Sequence, residues 1–229
     1  MDSISLVFPA FNEEENIGKV LEDAISIAEK LNVPFEIVVV NDGSIDKTPE
    51  IVKSYIKKYP KIIKLINNYK NLGYGATLRN GFKTAKNDWV FFADSDRQFD
   101  LNEIHNLLEY TNNADIIIGY RKNRQDKFIR KVNAGIFKII VRGLFNIKVK
   151  DIDCAFKLIN KKVLDNVNLV SNGALINTEL IHKSYQKQYK IIEVPVNHYP
   201  RIAGKASGAK ISVILKAVRE LLTMRIFSY

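Results

Sequence analysis

Cysteine is nearly missing from this chain. Cys154 is the only one among 229 residues, so no disulfide can form within it, and a reducing compartment fits. Histidine is almost as scarce: His105, His182 and His198 are too scattered for the paired spacing of a zinc site. Only His198, beside Tyr199-Pro200-Arg201, stands where it could line a metal or phosphate pocket. No uninterrupted apolar run reaches the ~18 to 20 residues that cross a bilayer, so the expected membrane contact is peripheral. The opening Met1-Asp2-Ser3-Ile4-Ser5 has neither the basic start nor the long apolar core of an export signal, which points to the cytoplasm. Repeats, low-complexity tracts and flexible linkers are also lacking. A single domain over 1–229 is therefore expected, with 1–120 as one half and a Lys-, Arg- and Asn-richer 121–229 as the other.

The hydrophobic residues that are present, 46% of the chain, come in short runs. Ile4 to Phe8, Ile37 to Val40, Ile62 to Ile66, Trp89 to Ala93 and Ile116 to Ile118 read as five strands. Ile37-Val38-Val39-Val40 and Ile116-Ile117-Ile118 are apolar throughout, as suits strands covered on both faces of a mostly parallel sheet. Helical periodicity fills the intervals near 14–31, 49–59, 76–86 and 102–112, and Thr48-Pro49 supplies an N-cap and a first-turn proline to the second. The alternation predicts an α/β fold with flanking helices.

Polar residues gather where the strands end: Asn12-Glu13, Asn41-Asp42-Gly43-Ser44, Asn71-Leu72-Gly73-Tyr74-Gly75 and Asp94-Ser95-Asp96. In an open parallel sheet the carboxyl ends form the ligand crevice, so four such loops converge on one site. Asp94 and Asp96, with the amide oxygen of Gln98, are hard oxygen ligands suited to Mg²⁺ or Mn²⁺, and such an ion offsets charge on a departing diphosphate. An isolated D-x-D also serves as a turn cap; its place directly behind a buried strand favours the metal. Asp42 is positioned to accept from a base edge, and Glu13 to reach ribose hydroxyls. Gly73 allows close backbone approach to a ligand, and Arg79, one turn on, faces phosphate. Ser95, between the two aspartates, joins the donor-binding set.

In order, Phe8-Pro9-Ala10-Phe11-Asn12-Glu13, Val40-Asn41-Asp42-Gly43-Ser44, Asn71 to Gly81 and Ala93-Asp94-Ser95-Asp96-Arg97-Gln98 resemble family 2 glycosyltransferases of the GT-A fold. The resemblance is strongest to the dolichyl- or polyprenyl-phosphate mannosyl- and glucosyltransferases. It extends through Ile118-Gly119-Tyr120-Arg121, Asp151 to Lys157 and Glu193 to Lys205, so nearly the whole chain is covered. It implies a nucleotide-sugar pocket from Pro9, Phe11, Glu13 and Asp42, a metal on Asp94, Asp96 and Gln98, and an acceptor phosphate on Arg121, Arg130 and Arg201. The implied reaction is inverting transfer of a hexose, of GDP-mannose or UDP-glucose type, to polyprenyl or dolichyl phosphate at a membrane surface. Asn41 stands where many relatives have aspartate, Phe11 where tyrosine is frequent, and Ala155 where glycine is.

A lipid phosphate is already anionic, so its transfer calls for a metal and arginines rather than a general base. Arg121, Lys122, Arg124, Lys127, Arg130 and Lys131 suit that task, although such a run also serves as a solvated helix face. A sugar-hydroxyl acceptor would instead need a carboxylate base, for which Asp151, Asp153 and Glu179 are the candidates, Glu179 also being placed to position the acceptor or simply to sit on an exposed helix. A nucleotidyltransferase normally carries a glycine-rich loop after its first strand, where this chain has Pro9-Ala10-Phe11-Asn12-Glu13. A basic module for nucleic acid or membrane would exploit the charge of +10 but leave the aspartates without a task, so nucleic acid is not an expected partner. Two amphipathic segments could seat the chain on lipid or pack on a core: Ile136 to Phe145, and Ile211 to Leu222. Peripheral action, a membrane-protein partner and a homo-oligomer all remain compatible with them.

Overall fold

The computed structural model describes residues 1–122, 139, 141–145 and 147–203. Arg130, most of the basic run after Lys122, and the amphipathic helix expected over 211–222 lie outside the described residues.

Seven strands form one sheet in the order β3-β2-β1-β4-β6-β5-β7. β1 (Ile4–Ala10), β2 (Phe35–Asn41), β3 (Ile63–Asn67) and β4 (Trp89–Ala93) are parallel neighbours, as the first-half alternation predicts. β5 (Ile116–Arg121) runs parallel to β7 (Ile191–Val196), and β6 (Phe156–Asn160) inserts antiparallel between β4 and β5. The reversed β6 and the edge strand β7 were not anticipated, because the second half carries no comparably long apolar runs to mark them.

The helices follow from their buried stripes. In α1 (Ile17–Lys30), Ile17, Val20, Leu21, Ala24, Ile25 and Ala28 recur at helical spacing and are buried. α2 (Thr48–Lys58) has its proline in the first turn, but the expected Thr48 cap is displaced. Asp46 instead accepts from the Thr48 amide at 3.0 Å and from its hydroxyl at 2.6 Å, while the same hydroxyl accepts from the Glu13 amide at 2.8 Å. α3 (Tyr74–Thr84) lies close on the sheet: a Cβ at Gly81 would stand 2.4 Å from Val7 Cγ1. α4 (Ile104–Leu108), α5 (Lys161–Asn166) and α6 (Ile176–Gln186) follow, with a 3₁₀ turn at Leu101–Glu103, and residues 141–145 are helical as well.

Alternate strand residues bury both faces. Phe8, Ile37 and Phe91 pack with α1 and α2, whereas Val7, Val38, Val90 and Phe92 pack with α3 and α6. Within the first amphipathic segment, Val141 and Phe145 are core residues, and the Phe145 ring meets His182 at 4.7 Å. Among the described residues, no helix is long and apolar enough to cross a membrane.

Candidate active site

Three loops are stitched together at the carboxyl edge of β1 and β2. Asn12 adopts a left-handed backbone (φ 55) and accepts from the Ile45 amide at 2.9 Å, while its own amide donates to Ser44 Oγ at 2.9 Å. Asn41 makes use of being an amide: it donates to Asn67 at 2.9 Å and accepts from the Ser44 amide at 3.1 Å. An aspartate at position 41 would have no proton to give Asn67. Phe11 is 41% exposed above this framework, and an open hollow of about 300 Å³ lies between Asn12 to Asn16 and Ile45-Asp46.

Asp42 is buried and heavily used. Oδ1 accepts from Asn68 and the Leu72 amide, each at 2.8 Å, and Oδ2 from the Gly73 amide at 3.0 Å. The carboxylate expected to read a base edge therefore also shapes the glycine loop. Gly73 has φ 97, a conformation open to glycine and strained for other residues. Ser95 is buried with its hydroxyl donated to the Pro9 carbonyl at 2.8 Å, which ties the two aspartates to β1. Arg79, expected to face phosphate, donates through its guanidinium to the Val170 carbonyl and, at 2.7 Å, to Asn172 Oδ1.

Asp94 and Asp96 follow β4 directly. Asp94 Oδ1 is buried and accepts no hydrogen bond from the described residues. Burial, then the charge of Asp96, raises the Asp94 carboxyl to about 7, against the opposing influence of Tyr74, Lys157 and Arg201. Asp96 Oδ1 accepts from the Gln98 amide at 3.1 Å, and Oδ2 receives Arg201 at 2.6 Å. Arg201 also reaches Glu13 at 3.4 Å, and Glu13 holds Asn16 at 2.7 Å. Burial raises the Glu13 carboxyl; its partners Asn16 and Arg201 only moderate that. Gln98 is laced to the segment after β7: its amide NH₂ donates to the Tyr199 carbonyl at 3.1 Å, and its carbonyl accepts from the Tyr199 amide at 2.9 Å. Its side-chain oxygen stays an acceptor.

The fit to a divalent cation rests on these atoms. An enclosed, unpartnered carboxylate oxygen on Asp94, a second carboxylate on Asp96 and an amide oxygen on Gln98 form a hard oxygen set, and Arg201 now supplies positive charge to it. Among the described residues, no three or more His, Cys, Asp or Glu side chains are grouped around one metal position.

Arg121 forms a two-pronged pair with Asp151 at 2.6 and 2.7 Å. Glu179, a candidate base for a hydroxyl acceptor, is fully buried in α6. His198 is buried and its ring meets Phe99 edge-on at 5.4 Å.

A fully buried charge stands in the middle of the sheet. Lys157 lies in β6 opposite Phe92 and donates to the carbonyls of Ile152 and Cys154 and, at 2.9 Å, to Asn177. Burial lowers its pKa and pushes the neighbouring Cys154 thiol up to about 12, so that cysteine is an unreactive packing residue. A lysine in an apolar strand is a visible signal, but only the fold reveals that it stands behind the first aspartate.

A family model described as glycosyl transferase family 2 matches residues 5–168. A dolichyl-phosphate beta-glucosyltransferase of Trichomonas vaginalis is 32% identical, the alignment covering 98% of this chain and 73% of that relative. The dodecaprenyl-phosphate galacturonate synthase of Rhizobium johnstonii is 25% identical over 98% of this chain and 67% of its own length. Among solved structures, glucosyl-3-phosphoglycerate synthase from Mycobacterium tuberculosis superposes with a TM-score of 0.76 at 16% identity, over 98% of this chain and 80% of that one. The same enzyme in complex with Mn²⁺, UDP and glucosyl-3-phosphoglycerate gives 0.74.

Proposed function

The chain belongs to glycosyl transferase family 2 and has the GT-A fold, and from that premise we propose that it transfers a hexose, inverting the anomeric centre, from a nucleotide-sugar to a polyprenyl or dolichyl phosphate at a membrane surface. The relatives named for dolichyl- and dodecaprenyl-phosphate products support this acceptor class. The observation that carries the reading is the meeting of Asp96 and Glu13 with Arg201 at the carboxyl edge of the sheet, where Asp94 feels the charges of both Asp96 and Arg201.

Donor binding falls to Pro9, Phe11, Glu13, Asp42, Gly73 and Ser95, with Asp42 and Ser95 acting through the loops they hold. A Mg²⁺ or Mn²⁺ ion held by Asp94, Asp96 and Gln98 would offset the charge developing on the leaving diphosphate. Arg121, Arg130 and Arg201 orient the acceptor phosphate, whose oxygen attacks the anomeric carbon as the bond to the nucleoside diphosphate breaks. That oxygen carries no proton to be removed, so no general base is required. Two candidate bases for a hydroxyl acceptor are already engaged: Asp151 holds Arg121, and Glu179 is enclosed among backbone amides and Lys183. The expected location is the cytoplasmic face of a membrane, held peripherally.

The test is incubation of the purified protein and Mn²⁺ with labelled UDP- and GDP-sugars, with and without polyprenyl phosphate. Label entering the organic phase only when the lipid is present supports the reading. Label appearing in a water-soluble glycoside instead would reassign the acceptor to a hydroxyl.

A further inference from the structure

Among the described residues, the least exposed carboxylate outside the proposed metal site is Glu179, with none of its surface accessible. A buried anion persists only when its oxygens are matched by donors, and the donors here are specific. Oε1 accepts from the Val170 amide at 2.9 Å and from Lys183 Nζ at 2.8 Å, and Oε2 accepts from the Ser171 amide at 2.8 Å. Lys183 Nζ in turn donates to the Asn168 carbonyl at 2.5 Å. One side chain on α6 therefore fastens a strap of backbone, residues 168–173, that has no strand or helix hydrogen bonds of its own.

The other side of the strap presses on the donor loop. The Asn172 carbonyl accepts from the Gly75 amide at 2.9 Å and the Ala76 amide at 3.4 Å, capping the first turn of α3. A Cβ at Gly73 would stand 2.5 Å from the Asn172 carbonyl oxygen, and one at Gly75 would stand 2.5 Å from that of Ser171. Arg79 ties the strap to α3 a second time through the Val170 carbonyl and Asn172. Asp42 grips the same loop from the sheet side through the Leu72 and Gly73 amides. The residue that follows, Tyr74, has its hydroxyl beside Asp94 and Asn177.

We infer that Glu179 is a positioning residue for the nucleotide-sugar: it clamps the 168–173 strap against the start of α3 and so sets the 72–74 backbone between Asp42 and Asp94. Nothing in this role moves a proton, which separates it from the general base that a carboxylate at this place in the chain suggests. The inference rests on the transferase reading for the identity of the ligand, but the clamp itself can be measured without one.

The experiment compares full-length wild type, Glu179→Gln, Arg79→Met and the double variant. Glutamine keeps the shape but turns an amide donor toward Ser171 N–H or Lys183. Hydrogen exchange, run without substrate, should show faster exchange at Val170, Ser171 and Gly75 in Glu179→Gln. With UDP-glucose and Mn²⁺, the dissociation constant and the donor KM should rise about tenfold, as for loss of one buried charge-assisted hydrogen bond, with kcat within about threefold of wild type. Because both substitutions release the same strap, the double variant should lose less donor affinity than the two single losses combined. Arg79 is only partly buried, so its variant retains the test if Glu179→Gln fails to fold. Unchanged exchange at the three amides overturns the clamp. A fall in kcat of about 100-fold or more at constant donor KM overturns it in favour of a base. Additive losses in the double variant would break the link between the two residues. Failure of the lipid-phase assay, by contrast, counts against the acceptor and leaves the exchange result standing.

Discussion

Arg201 donates to Asp96 at 2.6 Å, so the guanidinium rests on one of the two carboxylates assigned to the metal. A cation bound at Asp94 and Asp96 has to compete with it for that oxygen. Arg201→Ala should therefore tighten Mn²⁺ binding to the nucleotide-free protein, by on the order of 5- to 10-fold, the value of one charge-assisted hydrogen bond. Transfer to lipid phosphate should fall at the same time. Titration followed by the electron paramagnetic resonance signal of free Mn²⁺ measures the first; weaker binding would show that the guanidinium supports the ion rather than displacing it.

Asp94→Asn separates activity from stability. Loss of the carboxylate should lower turnover on the order of 100-fold. Stability should move the other way at alkaline pH. The Asp94 carboxyl titrates at about 7 in the fold against an ordinary 3.8, so its ionised form weighs against folding, and that cost grows as pH rises from about 4 through 7. Asparagine does not ionise. Thermal melts in chelator should show the variant gaining on wild type between pH 5 and 8, with no such trend below pH 4.

Glu36 gives the opposite pH dependence, far from the site. Burial raises its carboxyl, but Lys64, the Lys86 amide and Ser5 outweigh this and hold it below the usual 4.5. A lowered carboxyl contributes stability above the unfolded value and loses it as pH falls through the folded one. Glu36→Gln should cost about 1–3 kcal/mol at pH 7, and the gap from wild type should narrow as pH falls below 4.5. Denaturant melts at pH 7 and pH 3 would check this.

Gly81→Ala sets helix propensity against packing. Alanine favours a helix interior by about 1 kcal/mol. A Cβ 2.4 Å from Val7 Cγ1, however, forces α3 off the sheet, at about 1–3 kcal/mol for overpacking. Net destabilisation is expected in urea melts; a variant more stable than wild type would mean that α3 shifts freely.

The sequence was most legible where local chemistry repeats. Apolar runs such as Ile37 to Val40 can satisfy both faces only inside a sheet, and helix α1 shows its buried stripe at regular spacing. The loops holding Asp42, Gly73, Asp94 and Asp96 follow those strands, so their convergence could be read in advance. The partners of each side chain could not. Arg79, one turn beyond a glycine loop, bonds to Val170 and Asn172 some ninety residues away, a pairing that no local pattern marks. The burial of Glu179 could not be read because α6 carries polar residues that pack inward, among them Asn177, Thr178 and Lys183. Strand β6 was missed because its apolar run is broken by Lys157, whose ammonium finds acceptors that only the fold assembles.

By itself, then, the sequence determined the strand and helix alternation, the crevice at the carboxyl edge and the oxygen-rich character of its ligands, because periodicity and residue type act over a few neighbours. Tertiary structure decided which charges pair with one another inside the protein. That follows from long-range hydrogen bonds and burial: Arg201 reaches Asp96 across 105 residues, and Glu179 is surrounded by donors before any ligand arrives.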